Sequence, residues 1–294
     1  MFHGVITALV TPFRNGKIDR DAFFAHLDRQ IEAGVDAVVP AGTTGEAATL
    51  SHSEHKELIR DCVRHVAGRL PVIAGAGSNS TAETVELTKA AREAGADAAL
   101  LISPYYNKPS QEGIYQHYRY VAESVHIPVI LYNVPGRTGS NIAPDTVGRL
   151  ARIANIIGIK DATADMAQLT RTMNACEDRM EFYSGDDGSV VPFLAMGGVG
   201  VISVISNIAP QAMGRLVRRM AAGDFCEARE QQRAIQQLID AMFTRSNPVP
   251  VKAACAMMGW MDGEIRLPLT VLPESDRQLL HTLLRSSGLE PEDM

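Results

Sequence analysis

Glu32-Ala33-Gly34-Val35-Asp36-Ala37 and Glu93-Ala94-Gly95-Ala96-Asp97-Ala98 are two versions of one junction. Each joins the end of a helical pattern to the start of a short apolar run, and an internal echo of this kind marks a repeated unit. Working outward, the same unit recurs. Residues 5–10 read as a strand closed by Thr11-Pro12, and 19–32 as a helix. Residues 36–39 are a strand, and Ser51-His52-Ser53-Glu54 is a capping box opening a helix to about residue 67. The strand at 71–74 is followed by a second box, Ser80-Thr81-Ala82-Glu83, and a helix to residue 94. Strands at 97–102, 128–132, 156–161, 181–184 and 199–204 alternate with helical stretches at 112–125, from Pro144, at 165–176 and before Gly197-Gly198. From Pro210 the pattern is helical to the end, with a break at Asn247-Pro248-Val249-Pro250. Strand-then-helix repeated about eight times means a parallel sheet. The reading is α/β: a (β/α)8 TIM barrel over 1–220 with a C-terminal helical extension, residues 221–294, packed on it. An open doubly wound sheet is the second arrangement.

Composition narrows the function classes. Hydrophobic residues make up 46% and charged residues 21%, which excludes global disorder. The net charge of −6, with no Lys/Arg run, argues against a nucleic-acid binder. Cys62, Cys176, Cys226 and Cys255 show no CxxC spacing, so reduced thiols are expected and neither a disulfide frame nor a metal site. Residues 1–5 run straight into a strand without a signal-peptide pattern, and no apolar stretch approaches the roughly 20 residues of a membrane span. The expectation is a soluble cytoplasmic protein.

In a barrel, catalytic groups sit at the carboxyl ends of strands. The polar residues there are Thr43, Thr44, Tyr106, Tyr132, Arg137 and Lys160. Of the six lysines, Lys17, Lys56, Lys89, Lys108 and Lys252 fall in turns, loops or helices; only Lys160 ends an apolar strand, Ile156-Ile157-Gly158-Ile159-Lys160-Asp161. Alternation puts Ile156, Gly158 and Lys160 on one face, and Gly158 leaves room beneath an inward lysine. A desolvated lysine is nucleophilic near neutral pH and forms Schiff bases with carbonyl substrates; a lysine that snorkels to solvent is the alternative. Tyr132, on the preceding strand, is either a proton shuttle for an imine mechanism or a packed aromatic. Gly42-Thr43-Thr44-Gly45 offers hydroxyls and backbone N–H groups to a carboxylate, or is a glycine turn with incidental threonines. Arg137 either grips a carboxylate bidentately or is solvated. His52, His55, Asn79, Glu83 and Tyr105 form a second polar set to which spacing alone assigns no function. Glu83 is explained as a capping residue, and the histidines sit in a first helical turn read as exposed.

Six motifs in order carry a resemblance: Gly42-Thr43-Thr44-Gly45-Glu46, Ser103-Pro104-Tyr105-Tyr106-Asn107, Tyr132-Asn133-Val134-Pro135-Gly136-Arg137-Thr138-Gly139, Gly158-Ile159-Lys160-Asp161-Ala162, Ser184-Gly185-Asp186-Asp187 and Gly200-Val201-Ile202-Ser203. Together they resemble the dihydrodipicolinate synthase family, within the pyruvate-dependent class I aldolase superfamily, over essentially the whole chain. The resemblance implies a lyase that condenses pyruvate with L-aspartate 4-semialdehyde, on the diaminopimelate route to lysine. It implies an imine between pyruvate and Lys160, and a proton relay of Tyr132, Thr43 and Tyr106, with Tyr106 reaching into an adjacent subunit. Thr44 would hold the pyruvate carboxylate, Arg137 the semialdehyde carboxylate, and Gly185 and Ile202 would line the pocket through backbone groups. No metal or organic cofactor is expected, and a homotetramer built as a dimer of dimers is. Ala48, His52, His55, Asn79, Glu83 and Tyr105 resemble the site where lysine binds in feedback-inhibited members. Two departures stand out: Ala47 replaces a common serine, and Asp161 a frequent glutamate. Competing readings are another class I aldolase, such as an N-acetylneuraminate lyase or a keto-deoxy-sugar-acid aldolase, and a non-catalytic barrel sensing a keto acid or lysine.

Overall fold

The computed structural model describes residues 2–292. The main sheet has eight strands, in chain order β1 (Gly4–Ala8), β2 (Ala37–Val39), β3 (Ile73–Gly75), β4 (Ala98–Ile102), β5 (Val129–Asn133), β6 (Ile156–Asp161), β7 (Glu181–Ser184) and β8 (Gly200–Ser203); Phe13–Arg14 and Lys17–Ile18 form a separate small hairpin. They are parallel and pair in the order β2-β1-β8-β7-β6-β5-β4-β3. A bridge between Val38 and Val72 joins the two ends of that order. The sheet therefore curls on itself as a barrel and is not the open doubly wound alternative. Helices α1 (Arg20–Glu32), α2 (His52–Val66), α3 (Thr81–Ala94), α4 (Gln111–Ser124), α5 (Pro144–Leu150), α6 (Met166–Cys176), α7 (Val190–Ala195) and α8 (Pro210–Ala221) follow the successive strands. Helices α9 (Phe225–Ala241), α10 (Val249–Met257) and α11 (Glu274–Ser286) complete the chain.

The echoed junction has a physical cause. Gly34 and Gly95 both take positive φ, 73° and 88°, where a side chain would be strained. The aspartate two residues on has the same task in both copies. Asp36 accepts a hydrogen bond from the backbone N–H of Val5 at 2.7 Å, and Asp97 from that of Val72 at 2.8 Å. Each carboxylate satisfies a donor at the start of the neighbouring strand.

Two layers of apolar side chains follow from the strand pleat. Ile6, Val39, Ile73, Leu100, Ile130, Tyr183 and Ile202 fill the barrel interior, while Leu131, Val129, Ile156 and Ile159 face the helices. Ile156 corrects the alternation read from sequence. Val129 pairs with Ile156, but the next residue, Ile130, pairs with Gly158. The extra residue, Ile157, is a bulge that shifts the pleat, so Ile157 joins the inner layer and Ile156 the outer one. Gly158 and Lys160 keep the inward direction. The room over Gly158 is taken by Tyr183, whose Cε2 would lie 2.9 Å from a Cβ there.

Two other local readings change. Ser51 and Glu54 form the full capping box. Ser80 caps α3 by accepting from the Glu83 N–H, but the Glu83 carboxylate does not return the bond; it accepts from the Ser78 hydroxyl at 2.6 Å. And residues 258–273 are not helical. That stretch lies on the barrel, and the Arg266 guanidinium holds the Glu54 carboxylate at 2.6 Å. The C-terminal helices share the barrel's outer core: Leu238, Val251, Ala254 and Leu284 pack in one cluster with Leu9, Phe13 and Phe23. Among the described residues no helix is long and apolar enough to cross a membrane.

Candidate active site

A cavity of about 580 Å3 opens at the carboxyl ends of the strands. Lys160 stands on its wall, 5% exposed. Its ladder partners are Tyr132 and Tyr183, and Nζ lies 4.2 Å from the centre of the Tyr132 ring, which gives the amine a π-face in place of water. A Cβ on Gly185 would come within 3.0 Å of Lys160 Cε, so the absence of a side chain there makes space for the lysine stem. Asp161, next in the chain, turns away: its carboxylate accepts from the Thr163 N–H at 2.8 Å, and burial raises its pKa.

The loop after β2 brings Thr43 and Thr44 to the same wall. It is bent by two non-glycine residues at positive φ, Ala41 (54°) and Glu46 (57°). Such conformations persist only when the surroundings over-determine them. Here the surroundings are a buried ion pair. Lys252 of α10 meets Glu46 at 2.5 Å, their side chains only 1% and 2% exposed. The other Glu46 oxygen accepts from the Arg266 N–H at 3.0 Å, and the Lys252 ammonium and Arg266 guanidinium both lie over the Phe13 ring, 4.1 and 4.2 Å from its centre. Burial lowers the Lys252 pKa and the Glu46 charge offsets part of that.

Arg137 sits on a single helical turn, Pro135–Thr138, at the cavity mouth. One guanidinium nitrogen donates to the main-chain carbonyl of Asn247 at 3.3 Å, while the Asn247 side chain donates to the Thr44 hydroxyl oxygen at 2.9 Å. On the opposite side, buried Asp187 accepts from the N–H groups of Val204 and Ile205, both at 2.9 Å, and so fixes the chain leaving β8. Burial raises the Asp187 pKa.

The expected residues are therefore not all together. Lys160, Tyr132, Thr43, Thr44, Arg137 and Gly185 share the cavity. Ile202 is packed in the barrel interior, and Val204 takes the wall position. Tyr106 is 88% exposed, at φ 72°, and off the wall. Of the second polar set, Ala48, His55, Glu83 and Tyr105 line the same cavity. His55 is buried, contrary to the exposed reading. It sits one turn before Leu58 and Ile59 on the apolar face of α2, its Nε2 lies 2.7 Å from the Gly75 carbonyl, and burial lowers its pKa. Exposed His52 lies 2.9 Å from the Glu83 carboxylate, and the Asn79 carbonyl accepts from the Asn107 amide at 3.0 Å. Asn247, Glu46, Lys252 and Arg266 were missed as site-shaping groups. Lys252 carried a signal, since Val249-Pro250-Val251-Lys252-Ala253-Ala254-Cys255 is apolar on every side but one. Asn247 appeared only as a helix break.

A closed parallel barrel that stands a buried strand-end lysine against a tyrosine ring, open to a cavity, defines the lysine-dependent aldolase class of lyases. The chain belongs to the dihydrodipicolinate synthetase family, whose sequence model matches residues 1–287. It is 51% identical over 289 residues to a 4-hydroxy-tetrahydrodipicolinate synthase of Syntrophus aciditrophicus, covering 98% of this chain and 99% of that one. Among solved structures it is similar to the chloride-inhibited dihydrodipicolinate synthase of Acinetobacter baumannii complexed with pyruvate, with a TM-score of 0.97, 47% identity, and 99% and 100% of the two chains covered. It is also similar to the enzyme of Cyanidioschyzon merolae with lysine bound, with a TM-score of 0.95, 41% identity, and 98% and 99% covered.

Proposed function

We propose that this chain condenses pyruvate with L-aspartate 4-semialdehyde, the reaction of 4-hydroxy-tetrahydrodipicolinate synthases, as a step of lysine biosynthesis. The observation that carries the reading is Lys160: a buried strand-end amine on a cavity wall that also bears Thr44 and Arg137. The Lys160 amine adds to the keto carbon of pyruvate, and loss of water leaves an imine. Removal of a methyl proton gives an enamine, the imine nitrogen taking up the electron pair. The enamine carbon bonds to the aldehyde carbon of the second substrate. The amino group of that substrate then replaces Lys160 on the imine carbon, which closes the ring and frees the lysine.

Each proton moved needs a carrier, and of the two tyrosines that flank Lys160 in the ladder, Tyr132 is the one that lines the cavity, its ring centre 4.2 Å from Nζ. Tyr132, Thr43 and Tyr106 form the relay. Exposed Tyr106 fits this role if it enters the cavity of a second copy, so a dimer is the working unit and a dimer of dimers the assembly. Thr44 takes the pyruvate carboxylate, with Gly185 and the chain at Ile202 offering backbone groups. Arg137 takes the acceptor carboxylate. The imine is itself the electron sink, and the reaction calls on no other cofactor. Ala48, His52, His55, Asn79, Glu83 and Tyr105 hold L-lysine as inhibitor, the Glu83 carboxylate facing its ammonium.

The test is a coupled assay offering L-aspartate 4-semialdehyde or N-acetylmannosamine with pyruvate. Turnover with the semialdehyde, lost by 100-fold or more in Arg137→Ala, supports the proposal. Turnover with N-acetylmannosamine alone overturns it.

A further inference from the structure

We infer that Asn247 is a positioning residue that sets which way the Thr44 hydroxyl points, and so how tightly pyruvate is held. The inference rests on the function proposed above. Three observations carry it. Asn247 comes from the turn before α10, 203 positions from Thr44 in sequence, yet its Nδ2 donates to Thr44 Oγ1 at 2.9 Å. Its main-chain carbonyl accepts from Arg137 at 3.3 Å, so one residue touches both side chains assigned to substrate carboxylates. And it lines the cavity while being only 6% exposed, with its Oδ1 buried and unpaired.

The direction of the first bond matters chemically. A hydroxyl has one proton to donate. When Asn247 donates to Thr44, the Thr44 oxygen accepts and its proton remains for an anion in the cavity. Were the amide reversed, the Thr44 proton would go to Asn247 Oδ1 and the carboxylate would face a bare lone pair. In this orientation Oδ1 is buried and unpaired; reversal would pair it with the Thr44 proton but take the amide nitrogen off its acceptor. The bond to the Arg137 guanidinium uses only the main chain of Asn247, so changing the Asn247 side chain separates the two grips.

The experiment measures the pyruvate concentration that half-saturates borohydride trapping on Lys160, alongside KM for each substrate. Asn247→Asp keeps the shape but can only accept from Thr44. It is expected to raise the pyruvate half-saturation at least tenfold, as loss of one charge-assisted hydrogen bond does, with semialdehyde KM within twofold of wild type. Asn247→Ala, which leaves Thr44 untethered, is expected to raise it about threefold to tenfold and serves if the aspartate variant does not fold. In a Thr44→Val background the Asn247→Asp substitution should add less than twofold. An unchanged pyruvate half-saturation overturns the inference, as does a parallel rise of both KM values with a fall in Tm. Failure of the wild-type protein to trap pyruvate at all overturns the proposed function instead.

Discussion

Lys252→Met removes one half of the buried pair behind the Thr43–Thr44 loop, and its cost follows from the surroundings. Glu46, its side chain 2% exposed, would be left with the Arg266 N–H at 3.0 Å as its remaining partner. Breaking a buried ion pair by deleting one partner costs about 3–5 kcal/mol, because the other charge stays desolvated. For a chain of this size that is on the order of 10 °C in Tm. Glu46→Gln/Lys252→Met removes both charges and should recover at least half of the loss, since a neutral pair of similar volume pays no ionic desolvation. Glu46 is held at positive φ two residues from Thr44, so the single variant should also lose turnover at temperatures where it is still folded. Urea denaturation of wild type, both single variants and the double gives the coupling energy. A Lys252→Met loss under 1 kcal/mol, or strict additivity, would refute the claim that this pair fixes the loop.

Stability should fall on acidification through buried histidines. Burial holds His26 at about 4 against 6.5 when unfolded, with Nε2 bonded to Asn207 Oδ1 at 3.0 Å. A depressed folded pKa means the stabilisation is complete above pH 6.5 and is lost as pH falls to about 4, amounting to about 3 kcal/mol for His26; urea midpoints from pH 7.5 to 4.5 measure it, and a His26→Gln variant should show a shallower slope. His117, also lowered to about 4 by burial, adds in the same direction. Gly185→Ala would place a methyl 3.0 Å from Lys160 Cε and 2.8 Å from Ala162 Cβ; displacing the lysine by even a fraction of its reach should cut kcat/KM on the order of 100-fold, read in the coupled assay with circular dichroism to confirm folding. Glu83→Gln should abolish inhibition by millimolar L-lysine while changing uninhibited kcat less than threefold; inhibition that survives the substitution, or a wild type that millimolar L-lysine leaves fully active, would remove the effector site.

The barrel was legible because its information is local. Apolar runs bounded by capping residues mark each unit, and the echoed Gly-x-Asp junctions do the same work in both copies: positive φ, then a carboxylate on an N–H at the start of the preceding strand. Lys160 was legible for the same reason, as a charge ending an apolar run. What stayed hidden depends on distance. The Ile157 bulge exists only relative to β5. Lys252 is explained by Glu46, 206 positions away, and Asn247 by Thr44. Residues 258–273 read as part of the helical tail, and the one arginine in them is explained only by Glu46 and Glu54, more than 200 positions away. The burial of His55 was readable from its spacing to Leu58, Ile59 and Cys62, and the capping motif drew attention from it. Glu83 shows the converse: a motif that fits a cap released its carboxylate to Ser78 and His52.

The central claim is that Lys160, and not the other buried lysine, is the amine that binds pyruvate. Incubating the protein with pyruvate, reducing with borohydride and mapping the adduct by peptide mass tests it directly. The account predicts a single reduced pyruvyl adduct on Lys160, absent in Lys160→Ala. No adduct, or one on Lys252, would contradict it.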